Sequence, residues 1–198
     1  MSGIEFEMFE ERRRSDWIRL RTLVTLRWVA LLGQTIALLV AVQLFGLQLQ
    51  TGLAAMTVGV SVIVNLVISF IYPDNKRLRE REAFYMIVFD IVQLSVMLYL
   101  TGGLNNPFAM LLLAPVTIAA AVLHLSITVM LGAAAIIVTT LLSQFNLPLI
   151  SATGQELALP GLFQFGFWIA LVIAVVFLAI YARQVTTEMH NMGEALLA

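Results

Sequence analysis

"PFAMLLLAPVTIAAAVLHLSITVMLGAAAIIVTTLLSQF", Pro107–Phe145, runs for 39 residues without an Asp, Glu, Lys or Arg. As one helix it would be ~58 Å long, far beyond a ~30 Å hydrocarbon core. As a hairpin turning tightly at His124 it supplies two spans, Pro107–Leu123 and Leu125–Phe145. Working outward, four more apolar runs are long enough to cross a bilayer: Leu23–Phe45, Leu53–Tyr72, Ala83–Leu100 and Leu162–Tyr181. The hairpin reading therefore gives six spans, and the single-helix reading five.

Charge favours six. Six arginines lie at or before Arg27: Arg12, Arg13, Arg14, Arg19, Arg21 and Arg27. Lys76, Arg77, Arg79 and Arg81 lie in the second connection, and Arg183 follows the last span; together these are all eleven cations. With six spans they share one side, which the positive-inside rule makes cytoplasmic. Both termini are then cytoplasmic, and the Thr101–Asn106 connection faces the periplasm or outer leaflet. The expected fold is all-α and integral to the membrane: a six-transmembrane-helix bundle with a helical, coiled-coil exit from the last helix.

Composition agrees. The chain is 61% hydrophobic and 12% charged, about half the charge of a soluble domain. It has no cysteine, which excludes disulfides, thiolate metal sites and cysteine redox chemistry within these residues. The N-terminus is acidic and then arginine-rich, with no cleavable signal peptide visible. The chain divides into a cytoplasmic segment 1–22, a membrane domain 23–182 and the start of a cytoplasmic linker 183–198. In the linker, Val185, Met189, Met192 and Leu196 follow the four-three-four spacing of a coiled-coil seam. The chain stops soon after, as though something larger followed. The segment "SDWIRLRTLVTLRW" is either an interfacial anchor or a regulatory amphipathic helix.

Few residues could carry chemistry. Asp90 is the acid inside a span, with no second intramembrane acid or base to form a relay. It is either a functional polar site or a packing residue bonded to a neighbour such as Asn65 or Gln34. Gln34, Gln43, Asn65, Gln93, Gln144 and Gln164 read as interhelical hydrogen-bonding residues. His124 reads as a turn residue. His190 lacks the context of a phosphoacceptor box, and neither histidine has metal-ligand spacing. No catalytic constellation or metal site emerges.

The remaining feature is "TGGLNNPF", Thr101–Phe108. Gly102 and Gly103 can end the third helix in the left-handed region. Asn106 suits an N-cap, and Pro107 the first turn of the next helix. The stretch is either a tight turn or a ligand site. In the second case amide donors sit beside an apolar wall of Phe108, Tyr99 and leucines, an environment suited to a quinone.

"GGLNNPF" fits the GGxxNPF pattern of the RegB/PrrB/ActS redox-responsive sensor histidine kinases, and the chain resembles that family. Gly102, Gly103, Asn106, Pro107 and Phe108 occupy the fixed positions. "LRTLVTLRWVALLGQ" resembles the family's approach to its first span, and the span count agrees. The resemblance implies a homodimeric sensor in the bacterial inner membrane that binds ubiquinone or ubiquinol at the motif. It implies a cytoplasmic kinase core, using ATP and Mg, that phosphorylates a response regulator; direct nucleic-acid binding is not implied. On this view the chain is a sensor domain without the kinase core. The rival from another class is a small six-span transporter, against which stand the lack of an internal repeat and the coiled-coil exit. A lipid-acting membrane enzyme would need clustered acids or histidines, which are missing.

Overall fold

The computed structural model describes residues 18–72 and 77–197. Side chains at 18, 19, 77, 122, 182, 183 and 185–197 fall outside the description. The helices are α1 (Leu20–Gln43), α2 (Thr51–Ile71), α3 (Glu80–Leu100), α4 (Leu113–Val122), α5 (Leu125–Gln144) and α6 (Gly161–Leu197). Two 3-10 segments, Gly103–Asn105 and Pro107–Leu112, lie between α3 and α4. A two-residue antiparallel pair, β1 (Ile18–Arg19) with β2 (Arg77–Leu78), ties the start of α1 to the start of α3. Five helices are long and apolar enough to cross a membrane, and Pro107–Ala121 is a shorter apolar sixth.

The opening 39-residue stretch is a hairpin, as its length requires. It turns at Leu123 and His124, both extended in backbone. Its first arm is short, and its six-residue 3-10 segment compensates. At ~2.0 Å per residue against 1.5 Å for the ten α-helical residues, the arm spans ~27 Å, close to the hydrocarbon thickness. Pro115 sits just past the junction. It has no N–H to return to the preceding turn, so it costs least where the helix is starting.

Helices in lipid associate through packing and hydrogen bonds rather than water exclusion. The most extensive pairing is α5 with α6, followed by α1–α2, α4–α5 and α4–α6. Gly132 of α5 permits the first: a Cβ there would lie 2.9 Å from a Val175 methyl of α6. Val116, Ala135 and Val175 form the packed centre of α4, α5 and α6. Leu94, Leu98, Leu104, Leu112, Leu142 and Leu171 fill the end that carries the glycine motif. A second cluster around Leu23, Leu78, Ile87, Ile91 and Leu131 fills the opposite, basic end. α2 buries only Ala54, Ser61 and Asn65 and turns large side chains such as Met56, Ile63 and Phe70 outward. That is the pattern of a lipid-facing helix.

α6 continues unbroken for 37 residues. At ~55 Å it outruns the bilayer, so the membrane span and the tail form one continuous helix. Val185, Met189, Met192 and Leu196 fall on this helix, and their side chains lie outside the described residues.

Candidate ligand-binding cavity at the motif end

Gly102 and Gly103 stop α3. Their φ angles of +103° and +56° lie in the left-handed region, which glycine enters without a Cβ penalty. Both are also pressed against neighbours. A Cβ on Gly103 would stand 2.5 Å from the Leu142 carbonyl oxygen and 2.7 Å from Asn146 Cβ; one on Gly102 would stand 3.1 Å from Leu149 Cβ. Asn106 then opens the 3-10 segment. Its Oδ1 accepts from the Phe108 N–H at 2.9 Å, while its Nδ2 donates to Thr101 Oγ1 at 2.8 Å. The Thr101 hydroxyl donates in turn to the Met97 carbonyl, 2.8 Å away.

The segment between α5 and α6 covers this turn. Leu147 N–H donates to the Tyr99 carbonyl at 2.9 Å, and Leu159 N–H to Asn105 Oδ1 at 2.9 Å. Gln48 N–H donates to the Ile150 carbonyl at 2.9 Å, which adds the α1–α2 connection. Three connections distant in sequence thus form one hydrogen-bonded cap over the motif end.

Beneath the cap lies a cavity of about 490 Å³. It exists because the backbones of α1 and α3 stay apart there, while α2 packs against both. One wall is α1 from Gly33 to Ala41; the other is Leu94, Met97 and Leu98 of α3 with Thr101, the residue that caps it. Asn106, Pro107, Phe108 and Leu111 close a third side, and Leu47, Leu49 and Leu149 close the top. Ile36, Phe45, Phe108 and Leu111 are exposed, so the cavity opens sideways toward lipid. Of the motif residues, Asn106, Pro107 and Phe108 line it, whereas Gly102 and Gly103 shape the backbone behind it. The polar side chains in the lining are Gln34, Thr101 and Asn106.

Gln34 is held across the α1–α3 gap by Gln93. Gln93 Nε2 donates to Gln34 Oε1 at 2.9 Å, and Gln34 Nε2 returns a longer bond of 3.5 Å. Deeper toward the basic end, Arg27 Nε lies 2.7 Å from Asp90 Oδ1. This is ion-pair distance, although the N–H is not aligned on the oxygen. Arg27 Nη2 donates to the Met86 carbonyl at 3.1 Å, and the guanidinium carbon sits 5.3 Å from the centroid of the Phe89 ring.

The ion pair corrects the sequence reading. Arg27 is counted there with the basic residues that fix orientation, although it falls inside the first span, leaving Asp90 without a charged companion. In fact α1 begins at Leu20, so Arg27 lies seven residues inside it, roughly 10 Å along the axis, with its side chain 5% exposed. Asp90 pairs with it rather than with Asn65 or Gln34. Asn65 donates instead to the Val24 carbonyl at 3.4 Å. The spacing held the signal: Arg27 and Gln34 are seven apart, and Asp90 and Gln93 three apart, so each pair shares one helix face. The cavity had no comparable signal, because it depends on how two non-consecutive helices splay.

His124 stays apart from the cavity. His124 heads α5, and its side chain is 63% exposed. Glu80 Oε1 accepts from the His124 backbone N–H at 2.8 Å and lies 2.7 Å from Nδ1. Its carboxylate therefore joins the start of α3 to the α4–α5 turn. The His190 side chain lies outside the described residues.

Comparison with known proteins agrees with this architecture. Residues 11–192 match the family described as the PilS-like transmembrane domain. The sensor histidine kinase RegB of Cereibacter sphaeroides is 50% identical over 185 residues, which cover 93% of this chain and 40% of that protein. The sensor histidine kinase RegB of a named strain of the same species is 51% identical over the same extent. The chain thus spans about 40% of the length of these curated relatives. No solved structure matches it. With the match covering nearly the whole bundle, the chain belongs to the PilS-like transmembrane domain family.

Proposed function

We propose that this chain is the membrane sensor of a redox-responsive, two-component histidine kinase, and that it binds ubiquinone or ubiquinol in the cavity between α1, α3 and the motif. The observation that carries this reading is the cavity itself. It is apolar, opens toward lipid, and has the right size for a quinone ring and the start of its isoprenoid tail. Pro107 and Phe108 of the GGxxNPF motif form one of its walls. Asn106 builds that wall by capping the turn, and Gly102 and Gly103 let it form.

The eleven cations favour an inner-membrane orientation with both termini cytoplasmic. Signal transfer would use α6, whose single helix links the packed centre of the bundle to the tail. A homodimer joined along Val185, Met189, Met192 and Leu196 would carry a shift of that helix into a kinase core. There ATP and Mg would serve phosphotransfer to a response regulator. Switching requires that oxidised and reduced ligand bind the two conformations unequally; equal affinity would shift nothing.

The test is a ubiquinone titration at controlled potential on purified protein, comparing wild type with Gly33→Phe. Gly33 lines the cavity, and a Cβ there meets nothing within 4 Å. The phenyl group should fill the space without straining the helix and weaken binding by at least about tenfold, or 1.4 kcal/mol. Unchanged affinity in folded Gly33→Phe would place the ligand elsewhere.

A further inference from the structure

We infer that α1, α2 and α3 bind a buried water molecule between Arg27, Asn65 and Ser61, inside the membrane-spanning part of the bundle. The inference is independent of what occupies the cavity.

Among the described residues, four buried side-chain atoms lack a hydrogen-bond partner in the protein: Arg27 Nε, Arg27 Nη1, Ser61 Oγ and Asn65 Oδ1. Arg27 Nε at least has Asp90 at ion-pair distance, which leaves three. Buried polar groups are bonded as a rule, and leaving one bare is costly where lipid rather than water surrounds the helices. Ser61 and Asn65 are each at most 1% exposed. They stand one turn apart and, with Ala54, are the residues that α2 buries. α2 packs against both α1 and α3, so this polar pair faces the gap that Arg27 crosses to reach Met86 and Asp90.

Arg27 and Asn65 also share a level. Val24 of α1, Ile68 of α2 and Met86 of α3 pack against one apolar cluster at the basic end. Arg27 lies three residues inward of Val24, and Asn65 three residues inward of Ile68, so each is roughly 4.5 Å deeper. The bond from Asn65 Nδ2 to the Val24 carbonyl ties α2 to that same turn of α1. Ser61 follows one turn further in.

The donor and acceptor types select the occupant. Arg27 Nη1 can only donate, Asn65 Oδ1 can only accept, and the Ser61 hydroxyl does both. The asparagine amide cannot be turned round, because its nitrogen already serves the Val24 carbonyl at 3.4 Å. A metal cation could not receive the arginine hydrogens. A halide could not donate to the asparagine oxygen, and Asp90 would repel it. Water receives from Arg27 and donates to Asn65, with Ser61 as a third partner; a buried water typically makes about three such bonds. The water thereby attaches α2, which turns its large side chains outward, and helps to space α1 from α3 on the basic side of the cavity.

The test is solid-state NMR magnetisation transfer from water to isotopically labelled arginine side chains, on the whole chain in lipid nanodiscs. The Arg27 signal is assigned by its loss in Arg27→Met/Asp90→Leu. In the wild type it should receive transfer from water, although the side chain is 5% exposed. Ser61→Val/Asn65→Leu fills the site with apolar atoms and leaves the ion pair in place; the Arg27 signal should remain and its transfer should be lost. If that double variant fails to fold, Ser61→Val alone is read in the same way. A wild type with no transfer to Arg27 has a dry contact, and the inference is then wrong. Transfer that persists in the folded variant would overturn it equally, because water then reaches Arg27 without Ser61 and Asn65.

Discussion

Replacing Asp90 alone should destabilise the bundle by about 3 kcal/mol, whereas replacing Asp90 and Arg27 together should cost little. Asp90→Leu leaves the Arg27 guanidinium in place, 5% exposed and without a counter-charge. Breaking a buried pair on one side typically costs ~3–5 kcal/mol, and an unpaired arginine at the centre of a membrane helix costs ~2.5–3.5 kcal/mol on insertion scales. The lower figure applies because Arg27 keeps its bond to the Met86 carbonyl and its contact with Phe89. In Arg27→Met/Asp90→Leu nothing charged is left behind, and stability should fall within about 1 kcal/mol of wild type or exceed it. The assay is equilibrium unfolding in mixed micelles titrated with SDS, followed by loss of helical circular dichroism. A single replacement costing under about 1 kcal/mol, or a double as damaging as the single, would refute the pairing as the reason these charges are tolerated.

Three further outcomes follow from other parts of the fold. Gly103→Ala should cost more than about 2 kcal/mol, since it adds a collision with Leu142 and Asn146 to a left-handed backbone. Gly154→Ala, at φ +80° with open space around it, should cost about 1 kcal/mol; the same SDS titration compares them. Topology reporters placed after Glu156 or within Thr101–Asn106 should read periplasmic and one after Arg79 cytoplasmic, and the reverse pattern would invert the orientation. Cysteines introduced at Val185 and Met192 should crosslink between protomers faster than one at Thr187, whereas equal rates around the helix would dismiss the seam.

The helices were legible because their cause is local. Unbroken apolar length marks a span, and the 39-residue uncharged stretch can only be two. The glycine stop and the Asn106 cap were legible for the same reason: φ freedom and a side-chain acceptor belong to single residues. The 3-10 form of Pro107–Leu112 was not, since it answers to the thickness the arm must cover and to Pro115 beyond it. Arg27 was misplaced because a residue seven positions into a helix looks, in sequence, like the end of a basic anchor. Gln34 and Gln93 stood among six scattered amides until tertiary packing chose which two meet. The cavity itself lies between α1 and α3, with the motif as only one of its walls, and no local pattern records a gap between helices that are not consecutive.

The central claim is that a quinone occupies this cavity, and the most direct measurement is where one reacts. A photoreactive ubiquinone analogue, activated in membranes containing the protein and mapped by mass spectrometry, should label α1 between Gly33 and Ala41, the stretch from Leu94 to Thr101 at the end of α3, or Pro107–Leu111. Excess ubiquinone should suppress that label. Labelling confined to the outward faces of α2 or α6, or labelling that ubiquinone does not suppress, would contradict the account.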